Sequence, residues 1–457
     1  MQEWGIILYF LLIGVLMFLA KILKTWVPGL NKVVIPTALL GGFIGLVFSL
    51  IFAPILIGEE TFFDIGLMGN VVYHALAIGF MALALKRDSS KIQKKIWSTG
   101  MLITSTYAIQ AVIGMALVFL FFNDKFIGSG MLVALGFGQG PGLAMSIGRG
   151  WDATLGTSSF EVLGASYSFI GFVIGGTVGV VLINAIARRR GIAKPTQFDE
   201  TSVNKVTIEV DTVKEISVLD GLTTQAIIIS VIYSLVYLTL YGVRLALNPL
   251  GDAGNTVFGI FSGFHFIIAI LYALVYKKIL LAFERKGRNI RFMTNNYVLS
   301  NIASLSFNVM IAGAVLSITL AFLKDYGLQL VITSILVGLV TLFYLRYMTK
   351  RIYGNYTDEY FIGLFGMLTG VSATGLALLK GIDPNLETPV AEEMVLGSGT
   401  AISMALPLFA FLFIPSITYN SPNVNMWKMI SFIGIILYVV IFTLILIYRT
   451  RKSVSNN

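Results

Sequence analysis

Apolar runs of twenty or more residues recur along nearly the whole chain of 457 residues. About twenty residues at 1.5 Å rise cross the hydrocarbon core of a bilayer as a helix, so each run reads as a membrane span. The composition agrees: 56% of residues are hydrophobic, only 12% are charged, and mean hydropathy is +0.86. Strand-length alternation of polar and apolar residues is absent, so a β-barrel is not expected. The chain has no cysteine, which excludes disulfides and thiolate metal sites. Its two histidines, His74 and His265, are too few for a metal site built on imidazoles. The first apolar run has no basic segment before it and ends in Lys21 and Lys24. It reads as a retained span rather than a cleaved signal peptide. The net charge of +9 sits in short inter-helix loops, as membrane flanks require, and does not point to nucleic acid.

The pattern predicts an all-α polytopic membrane protein with eleven spans, near 5–22, 34–57, 66–85, 97–122, 156–186, 222–247, 256–280, 294–323, 327–348, 386–416 and 427–448. Residues 1–187 form an N-terminal repeat of five spans, 188–220 a cytoplasmic linker, 221–417 a second repeat, and 418–457 an added span and tail. The linker opens with Arg188, Arg189 and Arg190 and carries a short alternation at Val206, Ile208 and Val210, enough for one small strand or helix. Basic residues follow the first, third, fifth, seventh, ninth and last spans, among them Lys32, Lys91, Lys94, Lys95, Arg291, Arg346 and Arg449. The opposite loops carry Glu59, Glu60, Asp64, Asp124 and Asp252. By the positive-inside rule the N-terminus is outside and the C-terminus inside, in the bacterial cytoplasmic (inner) membrane. The two five-span halves then have opposite orientation, the layout of an inverted-repeat transporter.

Two segments are too interrupted to cross once and too short to cross twice. Near 126–150, a short apolar run meets Gly-Phe-Gly-Gln-Gly-Pro-Gly at 136–142; near 358–383, a similar run meets Gly-Val-Ser-Ala-Thr-Gly at 370–375. Re-entrant hairpins fit both, the first entering from outside and the second from inside. Their sequences share an order. Pro141-Gly142-Leu143-Ala144, Arg149-Gly150-Trp151-Asp152 and Glu161-Val162-Leu163-Gly164 match Thr374-Gly375-Leu376-Ala377, Lys380-Gly381-Ile382-Asp383 and Glu393-Met394-Val395-Leu396-Gly397. Gly142 to Glu161 is nineteen residues and Gly375 to Glu393 is eighteen.

A broken helix bares N–H groups at one end, which attract carboxylates, and carbonyls at the other, which suit Na+. Gly138, Gln139, Gly140, Gly142, Ser372, Thr374 and Gly375 are therefore candidate substrate-binding residues. Gly136, Thr369, Gly370, Asn308 and Glu161 are the candidate ion-binding residues. The competing reading is tight helix packing through small residues. Helix capping accounts for Arg149, Gly150, Asp152, Lys380 and Gly381, with Asp383 as an N-cap and Pro384 in the first helical position. Glu161 and Glu393 read equally as first-turn dipole partners or as functional intramembrane acids. His74 and Asn308 lie in matching spans, with hydrogen-bonded packing the better reading of His74.

No Gly-x4-Gly-Lys-Ser/Thr element or large soluble domain is present, against a nucleotide-driven pump. A membrane-embedded enzyme would need a paired catalytic constellation, and neither His-Glu-x-x-His nor an aspartate-rich cluster occurs. A channel would carry a repeated filter on a symmetric pore.

At these motifs the chain resembles the bacterial sodium/glutamate symporter family. The resemblance rests on Ile35-Pro36-Thr37-Ala38-Leu39-Leu40-Gly41-Gly42, the 136–142 hairpin, Glu161-Val162 running to Ile174-Gly175-Gly176, and the second glycine-rich hairpin. It implies two inverted five-helix repeats with hairpins, an elevator-type mechanism, a homodimer and Na+-coupled uptake of glutamate, with no other cofactor. The second hairpin, and the span after residue 426, depart from the family pattern. Sodium/citrate-type hydroxycarboxylate transporters, which share such an architecture, are the second resemblance.

Overall fold

The computed structural model describes residues 5–27, 36–59, 61–87, 96–190, 215–251, 254, 258, 261–263, 265–288, 293–383, 386–419 and 421–455. Among them all regular structure is helical. Lys32, Glu60, Lys91, Lys94, Lys95, Asp252, Arg291, Pro384 and the Val206–Val210 alternation lie outside the described residues.

The helices are α1 (Gly5–Trp26), α2 (Thr37–Leu56), α3 (Ile65–Leu85), α4 (Ile96–Phe121), α5 (Leu132–Gly138), α6 (Pro141–Leu155) and α7 (Phe160–Arg190). They continue as α8 (Glu215–Leu247), α9 (His265–Arg285), α10 (Asn296–Leu316), α11 (Leu320–Ile352), α12 (Thr357–Thr369), α13 (Ser372–Lys380), α14 (Val390–Ile417) and α15 (Val424–Ser455). A short 3-10 turn, Ile127–Gly130, leads into α5. Among the described residues ten helices are long and apolar enough to cross a membrane, and the two pieces of α14, Val390–Ala405 and Pro407–Ile417, make an eleventh if counted as one span bent by 49°. The chain is thus a multi-pass membrane protein. Helix α7 runs through Arg190 and α8 begins at Glu215.

Helix starts follow from local chemistry. Asp64 accepts from Leu67 N–H at α3, Asn295 from Tyr297 and Val298 N–H at α10, and Thr319 from Phe322 N–H at α11. Hydroxyls inside the spans turn back to the preceding turn: Thr104, Thr106, Ser166 and Thr349 each donate to the carbonyl four residues earlier. That satisfies them where lipid offers no partner.

The helices pack as two bundles. In one, α3 lies along α10, α2 packs on α10, α9 on α3, α1 on α2 and α8 on α9. In the other, α4 is embraced by α14, α15, α11 and α5, while α7 packs on α6, α5, α12 and α11. Small residues allow the close approach: a Cβ on Gly42 would lie 2.9 Å from the Ala312 carbonyl, and one on Gly164 2.6 Å from the Ala144 backbone. The bundles meet chiefly where α10 packs on α6 and α7. Ion pairs tie helix ends together: Arg87 to Glu284 at 2.9 Å, Arg346 to Asp358 at 2.6 Å, Arg190 to Asp358 and Glu359, and Lys125 to Asp325. The Asp325 carboxylate beside it holds the Lys125 ammonium above its usual range.

The last span, α15, has a definite job in packing. Pro407 and Pro415 lie inside α14, and each lacks the N–H that would reach the carbonyl four residues back. For Pro415 that carbonyl belongs to Phe411, and Ser431 Oγ of α15 donates to it at 2.7 Å. Near the Pro407 bend, the Tyr438 hydroxyl of α15 donates to the Met404 carbonyl.

Ser431→Ala should therefore leave a bare carbonyl in a low-dielectric setting and cost about 1–3 kcal/mol. Thermal unfolding in detergent should show a lowered midpoint. The double variant Ser431→Ala, Pro415→Ala should recover it, because alanine in place of the proline restores the helical N–H. A Ser431→Ala midpoint equal to that of the parent would refute the repair.

Candidate functional site

Helix α5 cannot continue past Gly138 because Pro141 lacks an N–H and excludes helical geometry before it. The chain turns at Gly140, whose φ of 82° and ψ of 173° suit only glycine, and α6 starts with Pro141 at its first position. The second break falls at Gly370 and Val371, between α12 and α13. Neither α6 nor α13 has a side-chain N-cap. Both therefore present first-turn N–H groups, while α5 and α12 present their last carbonyls.

The two breaks touch. A Cβ on Gly140 would lie 2.9 Å from Val371 Cγ1. Helix α4 spans both breaks: the Tyr107 hydroxyl donates to the Gly138 carbonyl at 3.1 Å, and Gln110 Nε2 donates to the Leu368 carbonyl at 2.9 Å. Helix α7 closes the far side. A Cβ on Gly171 would lie 2.5 Å from the Thr369 carbonyl, and one on Gly175 2.6 Å from Thr369 Oγ1. Thr369 itself donates to Phe365, and Thr374, buried, lies beside Gly370.

Not every sequence candidate lies at the breaks. Gly136 packs on Tyr167 and Ser168, and Gly375 packs on the Gly363 carbonyl and Met394. Gly142 faces the other bundle, where a Cβ would lie 2.3 Å from Leu76 and 3.1 Å from Met310. Gln139, half-buried, lines a cavity of about 10 Å³ with Tyr107, Ala405, Leu408, Phe409 and Leu412. That volume holds roughly one water. A carboxylate substrate fits there only when the helices part. Ser372 is half-buried at the start of α13, and Asn308 is half-buried on α10, the helix that joins the bundles.

Glu161 lies at the opposite end of α6 from the break. Arg149 Nε donates to it at 2.9 Å, Arg149 Nη2 donates to the Gly69 carbonyl at 2.6 Å, and the guanidinium lies 4.9 Å over the Tyr73 ring. This pair therefore bridges the two bundles. Its counterpart Glu393 is buried and accepts from the Tyr360 hydroxyl, whose ring stacks on Tyr353 at 3.5 Å. His74 Nδ1 lies 2.6 Å from the Tyr233 hydroxyl, as hydrogen-bonded packing requires.

The capping expectation needs correction in detail. Arg149 and Gly150 lie inside α6, which runs to Leu155 and ends at Gly156 with φ of 67°. Asp152 instead caps the next helix, accepting from Phe160 N–H at 3.0 Å and Glu161 N–H at 2.8 Å. Asp383 is not the N-cap of a helix: it accepts from Glu387 N–H at 3.0 Å and Thr388 N–H at 3.1 Å within the loop, and α14 starts only at Val390. Lys380 ends α13 and Gly381 is its C-cap, as expected.

Tyr107, Gln110 and Thr341 escape a search for broken helices because they sit within regular ones. One signal points to them: Ile103-Thr104-Ser105 in α4 repeats as Ile332-Thr333-Ser334 in α11, and each triplet lies shortly before these side chains in the same helix. Comparison with family models, with curated proteins and with solved structures finds no match.

Gly140→Ala should lower stability by about 1–3 kcal/mol, the cost of a non-glycine residue in that region of backbone space. The added methyl would also push Val371 away. Chemical denaturation in detergent measures it; an unchanged midpoint would mean that the turn relaxes freely.

Proposed function

We propose that the chain is a secondary active transporter that couples Na+ to uptake of glutamate or a related small carboxylate, by an elevator-type alternating-access mechanism. The observation that carries this reading is the contact between the two helix breaks, one from each half of the chain, at Gly140 and Val371. There, helix N-termini suited to a carboxylate and carbonyl ends suited to Na+ come within one site.

The packing pattern supports the inverted repeat. Pairing α1 with α8, α2 with α9, α3 with α10, α4 with α11, α5 and α6 with α12 and α13, and α7 with α14 maps contacts onto contacts. Thus α2 on α10 mirrors α9 on α3, α1 on α2 mirrors α8 on α9, α4 on α14 mirrors α11 on α7, and α6 on α7 mirrors α13 on α14. The ion pairs join helix ends that the charge bias puts on one side: Arg190 with Asp358 inside, Lys125 with Asp325 outside. Those contacts favour re-entrant hairpins opening to opposite faces.

The elevator reading rests on the two bundles. One holds both broken pairs and α15, and it meets the other mainly through α10 on α6 and α7. A seam that narrow suits a body that moves past a fixed one. Gly142 lies in that seam against Leu76 and Met310, so the N–H groups at the start of α6 open toward it. A homodimer in a bacterial inner membrane follows from the resemblance.

Purified protein in liposomes should accumulate labelled glutamate under an inward Na+ gradient. Uptake of citrate instead would move the substrate to hydroxycarboxylates, and no uptake of either would sink the carboxylate reading. Thr374→Ala and Gln139→Ala should each weaken substrate binding roughly ten- to a hundredfold, the loss of one hydrogen bond to a charged group. Topology has its own check. The chain lacks cysteine, so single cysteines at the exposed residues Ser158 and Asn355 report sidedness. Membrane-impermeant labelling of both from one side would refute opposed hairpins.

A further inference from the structure

Gln110 is fully buried in the middle of α4. Its Nε2 donates to the Leu368 carbonyl at 2.9 Å and to Thr341 Oγ1 at 3.0 Å. The Thr341 hydroxyl already donates to the Val337 carbonyl at 2.8 Å, so toward Gln110 it accepts. The Leu368 carbonyl can only accept. The amide orientation is therefore fixed by its neighbours, since a flip would set oxygen against oxygen. The remaining atom, Oε1, is buried and has no hydrogen-bond partner. It is directed at the first break: a Cβ on Gly138 would lie 3.4 Å from it.

An unpaired acceptor in the membrane interior is costly, and such groups are rare enough to call for a ligand. The surroundings decide its class. Oε1 lies against Gly138 at the carbonyl end of α5, and its own amide is bonded to the Leu368 carbonyl at the carbonyl end of α12. Carbonyl ends attract cations. The oxygens nearby are neutral amides and hydroxyls. A divalent ion selects carboxylates, and among the described residues no acidic cluster offers them. A substrate carboxylate would be repelled by the amide oxygen.

We propose that Gln110 Oε1 is a ligand of a monovalent cation, Na+ by preference, held between the two breaks. The same side chain passes that occupancy to the second break through its bond to Leu368. A cation drawing on Oε1 polarises the amide and strengthens both Nε2 donations. Ion binding thereby stiffens the end of α12, next to the first turn of α13. The coupling part rests on the transport reading above; the binding part does not.

The test uses full-length protein in detergent with Na+ alone as the ligand, and K+ and choline as controls. Thermal stabilisation by Na+ gives its apparent affinity, since a ligand of the folded state raises the midpoint with concentration. Gln110→Leu should weaken Na+ about ten- to a hundredfold, the loss of one charge-assisted contact. Thr341→Val removes one partner of Nε2 but leaves Oε1, and should change Na+ affinity less than threefold. Unchanged Na+ affinity in Gln110→Leu would overturn the proposal, as would Thr341→Val matching its loss. Glutamate binding at saturating Na+ supplies the second readout. If Gln110→Leu lost glutamate affinity there while Na+ affinity held, Oε1 would be a ligand of the substrate ammonium and the cation assignment would fall. A parent protein that binds Na+ but neither binds nor moves any carboxylate would defeat the transport reading and leave the cation site standing.

Discussion

Inside a bilayer, each backbone N–H and C=O must find its partner within the protein. That constraint shapes this molecule more than any other. It makes the spans continuous helices, turns their serines and threonines back onto the preceding turn, and makes every interruption a place that needs an explanation. Interruptions at Gly140 and Gly370 persist because protein groups stand around them: Tyr107 on the Gly138 carbonyl and Gln110 on the Leu368 carbonyl. Where Pro415 interrupts the helix instead, a neighbouring span supplies the donor. The breaks are thus held by a regular helix, α4, and α4 is in turn enclosed by α11, α14 and α15.

Much of this architecture is written locally in the chain. Hydrocarbon thickness sets span length, so the eleven spans stand out from hydropathy alone. Glycine with proline marks the first break and clustered glycine the second, because both act on the backbone within a few residues. Asp152 is legible as a cap, since a short carboxylate near a helix start has few other roles, whereas Asp383 turns out to hold the loop before α14. The site itself is only half legible. Gly142 reads as a cradle for substrate, yet it opens on Leu76 and Met310 from the other bundle. What a glycine makes room for depends on what faces it, and that partner lies far away in sequence. Gln110 shows the same limit: its partner Leu368 is 258 residues away, so nothing near position 110 reveals that one end of the amide is satisfied and the other is not. Glu161 reads equally as a dipole partner and as a functional acid, and its partner in the fold is Arg149, whose guanidinium also reaches Gly69.

The two acids that match in sequence also differ in environment. Glu161 pairs with an arginine at the seam between bundles, whereas Glu393 accepts from a tyrosine inside one bundle. The two acids sit in unlike surroundings because only one of them lies against the other bundle.

The bonds from α15 to α14 carry a consequence for how such a chain could have come to its present length. A chain with Pro415 but without α15 would carry a bare Phe411 carbonyl facing lipid, and α15 set against a proline-free α14 would bring a donor with nothing to meet. Either order passes through an intermediate in which one partner waits for the other. Adding the helix first is the milder path, since a spare hydroxyl can turn back onto its own helix while a spare carbonyl cannot. On that order the prolines are the younger feature, and the bend they introduce became possible only once the last helix was in place. The reverse step is then closed: simple loss of the C-terminal span would strand the Phe411 carbonyl, so the addition works as a ratchet.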